Sequence, residues 1–195
     1  VSLGSLFFEP LWIFHRKELI VRRIPDLKGL RLAVGEEGGG TKILAMLLLE
    51  KNGINSQNTQ ILPHGYQKAA NMLLRGEVDV AFFVSTHLAD HVMQLIDSKS
   101  VTLMGIERAE AYALLFHYLY VLKVPEGVIN FADNIPSSDL TLVAPTTQLV
   151  ARPDLHPALI NLLLVAAKEV HKFGGEFERE GEFPTPKYLD FKLSD

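Results

Sequence analysis

One stretch, Leu30–Gly53, constrains the fold of this chain more than any other. It begins with a short apolar run, Leu30–Val34, which predicts a strand. A glycine-rich turn follows, and the segment Thr41–Lys51 then has the composition and spacing of an amphipathic helix that ends at Asn52-Gly53. Strand, loop and helix in this order form a βα unit, and such units build α/β layer folds. We therefore predict an α/β fold around this stretch.

The turn carries four glycines, Gly35, Gly38, Gly39 and Gly40. Glycine lets the backbone come close to a ligand because it has no Cβ. The first amides of the following helix lack acceptors within the helix, and its N-terminal end carries a partial positive charge. These properties suit an anion such as a carboxylate. The turn is therefore predicted to hold a small acid.

Two nucleotide-binding motifs resemble this turn without matching it. A P-loop needs a lysine followed by serine or threonine after its last glycine, whereas here Thr41 precedes Lys42. A dinucleotide fingerprint needs G-x-G-x-x-G, and Glu36 and Glu37 stand in its place and would repel a pyrophosphate. A glycine-rich turn without any ligand remains an open alternative.

A second βα unit is expected to lie beside the first. Val78–Val84 is nearly continuous in apolar residues, as is typical of a strand buried on both faces of a parallel sheet. Ser85 and Thr86 follow its carboxyl end, where ligands bind in open parallel sheets. The loops Gly35–Thr41 and Val84–Thr86 are therefore predicted to face the same side of the sheet.

The remaining chain reads as alternating strands and helices. Leu6–Phe14 is predicted to be a strand that Pro10 places at a sheet edge or at a strand start, because proline cannot donate to a ladder. Tyr118–Val124 and Gly127–Phe131 are predicted to pair, and the charged tail from Glu176 on is expected to be draped over the surface or loose. Other predicted elements are the strands Thr59–Leu62, Val101–Ile106, Leu140–Ala144 and Gln148–Val150 and the helices His64–Arg75, Leu88–Ile96, Arg108–Phe116 and Leu155–Phe173.

Composition excludes several classes of function. The net charge of −4 gives no basic excess for binding nucleic acid. The absence of cysteine excludes disulfides, thiolate metal sites and a cysteine nucleophile, and it fits the cytosol or an extracytoplasmic space equally. No apolar run reaches the roughly 18 residues of a membrane span, and the first residues do not read as a signal peptide. We expect the chain to be an excised piece of a longer protein.

The sequence offers no convincing catalytic group. His87 and His91 are four positions apart on a predicted helix, but they lack the glutamate of H-E-x-x-H and a third ligand, so solvated histidines are the favoured interpretation. There is no G-x-S-x-G elbow, and Ser85 has no evident orienting acid. We predict a ligand pocket without an enzymatic activity, a metal or a cofactor.

Several stretches, taken in order, resemble the TAXI family of solute receptors of TRAP-type transporters, a branch of the type 2 periplasmic binding proteins. Each motif is weak alone, and their order and spacing carry the resemblance over nearly the whole chain. The matching stretches are Glu9–Arg16, Leu27–Gly35 leading into Gly39–Thr41, Leu74–Phe83, Val124–Gly127, and Arg152–Leu159 followed by Gly181–Pro184. The last of these is similar to a subgroup whose polypeptide continues into a membrane segment.

This resemblance implies a fold and a function. The fold is a periplasmic binding protein type 2-like α/β fold with a mixed, mainly parallel sheet flanked by helices, of which this chain holds one lobe and part of the other. The function is extracytoplasmic capture of a small organic acid or amino acid for membrane permease subunits, without chemistry and without nucleic acid. Two departures stand out: Gly39 replaces the family's serine, and Glu36-Glu37 add negative charge.

The resemblance also implies a domain plan. Residues 1–24 are expected to form the crossover from the first lobe, and 25–100 the α/β core of the second lobe. Residues 101–150 are expected to return toward the first lobe, and 151–195 to form a C-terminal helix and tail.

The hypothesised site unites these interpretations. Gly38, Gly39, Gly40 and Thr41 are predicted to bind the ligand's carboxylate through backbone N–H groups and the Thr41 hydroxyl. Trp12 and Phe83 are predicted to wall the pocket, and Ser85 to add a polar contact; Trp12 as a core anchor is the alternative. A ligand-sensing effector domain of a regulator with the same fold remains open as a second function. An enzyme of that fold would need a nucleophile that the sequence does not offer.

Overall fold

Two units alternate along the chain in the computed structural model, which describes residues 1–175 and 177–193. The core unit comprises Pro10–Ala109 and Lys123–Leu142. The terminal unit comprises Val1–Glu9, Glu110–Leu122 and the residues from Val143 on. Each unit is described by itself below.

The core unit is built on a five-stranded mixed sheet with the order β4-β3-β5-β2-β6. Its strands are β2 (Leu11–Arg16), β3 (Arg31–Ala33), β4 (Gln60–Leu62), β5 (Val80–Val84) and β6 (Val101–Leu103). β3 pairs in parallel with β4 and β5, whereas β2 pairs antiparallel with β5 and β6. A mixed sheet is therefore confirmed, with its parallel part at the two βα units that the sequence predicts.

Three helices of the core unit flank this sheet: α1 (Gly40–Lys51), α2 (Tyr66–Leu74) and α3 (Asp90–Ile96). α1 and α2 contact β5, and α3 contacts α2 and β6. The buried residues of α2 are Ala69, Ala70 and Leu73, which recur at helical spacing and give it one apolar face. Burial of such faces on the sheet fixes the start of α1 beside the end of β5.

One predicted strand is in fact two. Leu6–Phe14 was expected to be continuous, but β1 (Ser2–Phe8) ends before Glu9-Pro10 and β2 starts directly after it. The strand start at Pro10 is confirmed, because proline lacks the N–H that a continuous ladder needs. An edge position for this strand was wrong, since β2 lies between β5 and β6.

The terminal unit contains a two-stranded antiparallel sheet of β1 and β9 (Thr146–Val150). Its register runs from Ser2 opposite Val150 to Phe8 opposite Thr146. The helix α5 (Pro157–His171) contacts β1, and Phe8 stacks on Tyr120 with ring centroids 4.4 Å apart. α4 (Ala109–Leu115) begins at the last residue of the first core-unit segment and continues in this unit.

The described part of the C-terminal tail is attached to the terminal unit. The Thr185 N–H donates to the Ser5 carbonyl at 3.0 Å, and the Ser2 N–H donates to the Lys192 carbonyl at 2.8 Å. Phe183 is buried against Phe8, with ring centroids 4.9 Å apart. The draped form of the tail is therefore the correct one for 177–193; Glu176, where the predicted tail begins, lies outside the described residues.

A third sheet pairs β7 (Tyr120–Val124) with β8 (Leu140–Ala144), and the chain changes unit within each strand. The predicted pairing of β7 with Gly127–Phe131 is wrong. There the Asn130 side chain accepts the N–H groups of Ala132 and Asp133, which favours a local turn over a strand.

Within the described residues, no helix combines the length and the apolar character that crossing a bilayer requires.

Candidate functional site

A cavity of about 180 Å³ lies in the core unit where β5 ends and α1 begins. The two predicted loops do meet here: the Val84 N–H donates to Thr41 Oγ1 at 3.0 Å. This is the carboxyl end of parallel strands, the edge at which α/β sheets bind ligands. The wall is formed by Gly35, Glu36, Glu37, Gly38, Gly39, Thr41, Gly65, Tyr66, Phe82, Phe83, Val84 and His91.

Glycine is required at the first position of the loop. Gly35 has φ +98°, a conformation that L side chains rarely adopt. A Cβ built there would lie 2.8 Å from Thr41 Cβ and 2.9 Å from the Lys42 nitrogen. Gly35 is therefore packed against the first turn of α1, and only a residue without a side chain permits this approach.

The donors of the site come from the start of α1. The amides of Gly40, Thr41 and Lys42 belong to the first helical turn, where the helix itself provides no acceptor. The Gly39 N–H is already used, because it donates to the Glu36 carbonyl at 3.0 Å. The predicted share of Gly39 in anion binding through its amide is thus corrected, since this N–H closes the loop instead.

The Thr41 hydroxyl is held in place by its contact with β5. Its oxygen accepts the Val84 N–H, so the hydroxyl hydrogen remains available for a further acceptor. A ligand oxygen in the cavity can serve as that acceptor. Thr41 therefore joins the cavity wall to the strand that forms its floor.

Three rings form the other side of the cavity. The His91 ring lies 5.2 Å from the Phe83 ring and 5.7 Å from the Tyr66 ring, which it meets at 90°. Burial lowers the pKa of His91, and the Asp90 carboxylate only partly offsets this effect. Because the shift is downward from a value near 6.5, the imidazole is neutral at neutral pH.

The charges at the rim are mixed. Glu36 and Glu37 are both exposed, and Glu37 forms an ion pair with Lys42. The N-terminal end of α1 adds its partial positive charge next to them. The site therefore presents donors for an acid group and carboxylates for a donor or a cation within one cavity.

The structure places the seven predicted site residues in two groups. Gly38, Gly39, Thr41 and Phe83 line the cavity, whereas Gly40 starts α1 without being part of the wall. Trp12 is completely buried opposite Phe83 in the sheet, and its Nε1 donates to the Ser85 carbonyl at 2.9 Å.

The predicted roles of Trp12 and Ser85 at the pocket are therefore corrected. Trp12 is completely buried and is not part of the cavity wall, so its side chain packs in the core. The Ser85 backbone is held by Trp12 and by Pro10, whose carbonyl accepts the Ser85 N–H at 3.4 Å.

Four wall residues outside the predicted site and loops were missed from the sequence: Gly65, Tyr66, Phe82 and His91. The interpretation of His87 and His91 as solvated residues of one helix was wrong, because α3 begins at Asp90 and His87 is buried outside it. The signal was present: Leu95 is buried on α3 four positions after His91, so both lie on the inner face.

The wall can bind a small molecule through hydrogen bonds and charge. It offers amides, the hydroxyls of Thr41 and Tyr66, one imidazole and two carboxylates. Among residues 1–175 and 177–193, no group of three or more metal-binding side chains is arranged around a common point.

A larger cavity of about 650 Å³ in the core unit lies between the end of α3, β6 and the loop 133–138. It has no glycine loop or long-helix N-terminus in its wall and includes charges of both signs, among them Lys17, Asp97 and Asp133. We assign the candidate site to the smaller cavity because only that one combines free donors with the carboxyl ends of parallel strands.

The model of the NMT1-like family matches residues 2–173 of the chain. The chain belongs to the NMT1-like family. This match covers both units, including the cavity and the described contacts of β1 with β9.

Solved structures show which fold this NMT1-like chain has. The periplasmic aliphatic sulphonate binding protein SsuA from Escherichia coli is similar with a TM-score of 0.51 and 16% identity, over 87% of this chain and 47% of that one. The fold is thus that of the type 2 periplasmic binding proteins, and the NMT1-like chain spans about half the length of that relative. A looser similarity is to holo ArgBP from T. maritima, with a TM-score of 0.46 and 14% identity over 88% of this chain and 57% of that one. Another is to the CcmR regulatory domain of Synechocystis PCC6803 in complex with 2-PG, with a TM-score of 0.45 and 14% identity over 87% of this chain and 66% of that one.

Proposed function

We propose that this NMT1-like chain belongs to the extracytoplasmic solute-binding component of a TRAP-type transporter of the TAXI kind. It holds a small organic acid or amino acid in the cavity at the start of α1, without a chemical reaction. The observation that carries this proposal is the first turn of α1, where Thr41, with its hydroxyl held by β5, lines a cavity at the end of that strand.

The acid group of the ligand lies at the N-terminal end of α1. There it accepts hydrogen bonds from first-turn amides and from the Thr41 hydroxyl, and each is strengthened by the negative charge of the acceptor. The partial positive charge of the helix end adds a favourable interaction of about 0.3–1 kcal/mol. The aromatic wall formed by Tyr66 and Phe83 covers the apolar part of the ligand.

The partners follow from the transport role. The bound solute is passed to membrane permease subunits, and no nucleic acid takes part. Support comes from the family match, from the type 2 fold and from the motifs shared with TAXI receptors, in which Arg152–Leu159 and Gly181–Pro184 resemble the membrane-anchored subgroup.

Binding is tested by calorimetry and thermal shift with a panel of dicarboxylates, hydroxy acids and amino acids on the full chain. We expect at least one compound to bind below millimolar concentration. Thr41→Val weakens its binding about 10-fold because a charge-assisted hydrogen bond is lost, whereas Thr41→Ser stays within about 3-fold. Thr102→Val, at an exposed threonine of β6, is the matched control and leaves binding unchanged. Absence of any response at millimolar concentration overturns the proposal.

A ligand-sensing domain of a regulator would bind the same ligands. Uptake measurements distinguish this function from transport. Cells that lack the protein lose accumulation of the identified ligand if the transport proposal holds. Unchanged accumulation together with altered transcription would contradict it.

A further inference from the structure

Among the described residues of the cavity wall, His91 has a buried side-chain polar atom that lacks a hydrogen-bond partner. Its Nε2 is buried without a hydrogen bond to any of the described residues, although the side chain lines the cavity. A buried polar atom left unsatisfied costs about 1–3 kcal/mol, so its retention in a cavity wall points to a partner that is absent from the chain itself.

The neighbouring rings decide what can reach this nitrogen. Phe83 is 2% exposed and packs in the sheet, so it holds one side of the imidazole in place. Tyr66 meets the other side edge-on and is 58% exposed, so it is less enclosed by neighbouring residues than Phe83. A ligand group can therefore approach the imidazole from the Tyr66 side.

The charges around the cavity decide which group this is. A neutral imidazole has one acceptor nitrogen. Glu36 and Glu37 in the same wall repel a second acid group and attract a donor or a cation. The first acid group is already placed at the start of α1, which leaves the His91 side for a hydrogen-bond donor.

We infer that His91 is a specificity-determining residue of this site, and that its imidazole accepts a hydrogen bond from a hydroxyl or ammonium group of the ligand. The ligand class is then small hydroxy acids or amino acids rather than unsubstituted alkyl acids. This inference rests on the proposed function, because it assumes that the acid group binds at α1.

The test compares three probes of one carbon skeleton, propanoate, lactate and alanine, by calorimetry on the full chain at pH 7.5. Wild-type protein is expected to bind lactate or alanine at least about 10-fold more tightly than propanoate, the effect of one hydrogen bond. In His91→Phe, which keeps an aromatic ring between Tyr66 and Phe83, this ratio falls below about 2-fold while propanoate affinity is retained. His117→Phe, the same change at an exposed histidine, leaves the ratio unchanged.

Two results overturn the inference alone: equal binding of propanoate and its substituted analogues by wild type, or an unchanged ratio in His91→Phe. Failure of all three probes, with failure of the wider panel, overturns the proposed function instead. Should His91→Phe fold poorly, the ring ¹⁵N resonances of His91 in the wild-type protein provide the readout. They shift on saturation with lactate and not with propanoate, and the absence of a difference contradicts the inference.

Discussion

Single residues decide whether the glycine loop before α1 can form at all. Gly35 and Gly38 both have positive φ, +98° and +75°, but they differ in their surroundings. A side chain at Gly35 would collide with Thr41 and Lys42, whereas nothing lies within 4 Å of the corresponding position at Gly38. Substitution of Gly38 therefore introduces backbone strain alone, whereas substitution of Gly35 introduces both backbone strain and steric overlap.

We predict that Gly35→Ala lowers the free energy of unfolding by about 3 kcal/mol, and Gly38→Ala by only about 1 kcal/mol. Both carry the strain of a positive φ, and only the first adds overlap with the start of α1. Urea unfolding followed by circular dichroism measures both values. Equal losses would show that α1 is not packed against Gly35 as described.

At this scale the sequence predicts the loop better than its surroundings. Residue types report local conformation, so four glycines before a helix could be recognised directly. Trp12 was expected at the pocket and lies in the core, whereas His91 was expected in solvent and lies in the cavity wall. Both differences arise because the position of a side chain depends on which strand or helix packs beside it. For Trp12, that neighbour is set by the pairing of β2 with β5, two strands that are far apart in the sequence.

At the scale of elements, one carboxylate connects three strands of the core unit. Asp79, directly before β5, accepts hydrogen bonds from the Arg31 backbone at 2.9 Å and from its guanidinium at 2.7 and 3.0 Å. Arg16 at the end of β2 lies 3.8 Å away. The hydrogen bonds from Arg31 lower the pKa of Asp79, against the opposing effect of burial. These contacts give Asp79 a structural role in the core unit.

We expect Asp79→Asn to cost about 1.5 kcal/mol at pH 7, the lower end for hydrogen bonds to a charged group because Arg31 is partly exposed. The folded-state pKa is depressed, so the stabilisation is present above the unfolded value of about 3.9 and is lost as pH falls through the folded value. Urea midpoints of wild type and variant, measured from pH 7 down to pH 2, should therefore converge at acid pH.

Glu77→Gln is the control for this series, because Glu77 pairs with Arg75 at the surface, and its urea midpoint is expected to stay close to that of wild type. If the urea midpoints of Asp79→Asn and wild type differed by the same amount at every pH, the stabilising role of the ionised Asp79 carboxylate would be contradicted.

Element types were predictable where the pattern is local, and partners were not. Helices α1, α2 and α5 lie within a few residues of their predicted positions because apolar spacing and glycine or proline signals bound them. The partner of β7 was wrong because nearness in sequence favoured Gly127–Phe131, whereas β8 provides the ladder. The break at Pro10 was predictable from the sequence. That β1 and β2 belong to different sheets was not, because each pairs with strands that are distant in sequence.

At the scale of the whole molecule, the two units differ in how their strands are covered. β5 has a strand on either side and its first four residues are buried, whereas β1 forms a two-stranded sheet with β9 and meets the tail at isolated bridges from Ser2 and Ser5. Two-stranded sheets have little stability of their own, and amides in central strands open only with global unfolding.

Hydrogen exchange measured by mass spectrometry should therefore find peptides from Ala81–Phe83 among the slowest. Peptides from β1 should exchange faster, by at least about 10-fold in protection factor. The same rate in both strands would indicate that the terminal unit is as stable as the core unit and opens with it.

The order of segments in the two units has a consequence for synthesis on the ribosome. β1 is translated before the core unit, yet β9, its partner in the two-stranded sheet, follows only after the core unit is complete in sequence. The nascent chain therefore carries the apolar residues Leu3, Phe7 and Phe8 without a ladder while the core unit is still being translated. An unpaired strand of this kind is a site for chaperone capture, and it closes only when β9 has left the exit tunnel.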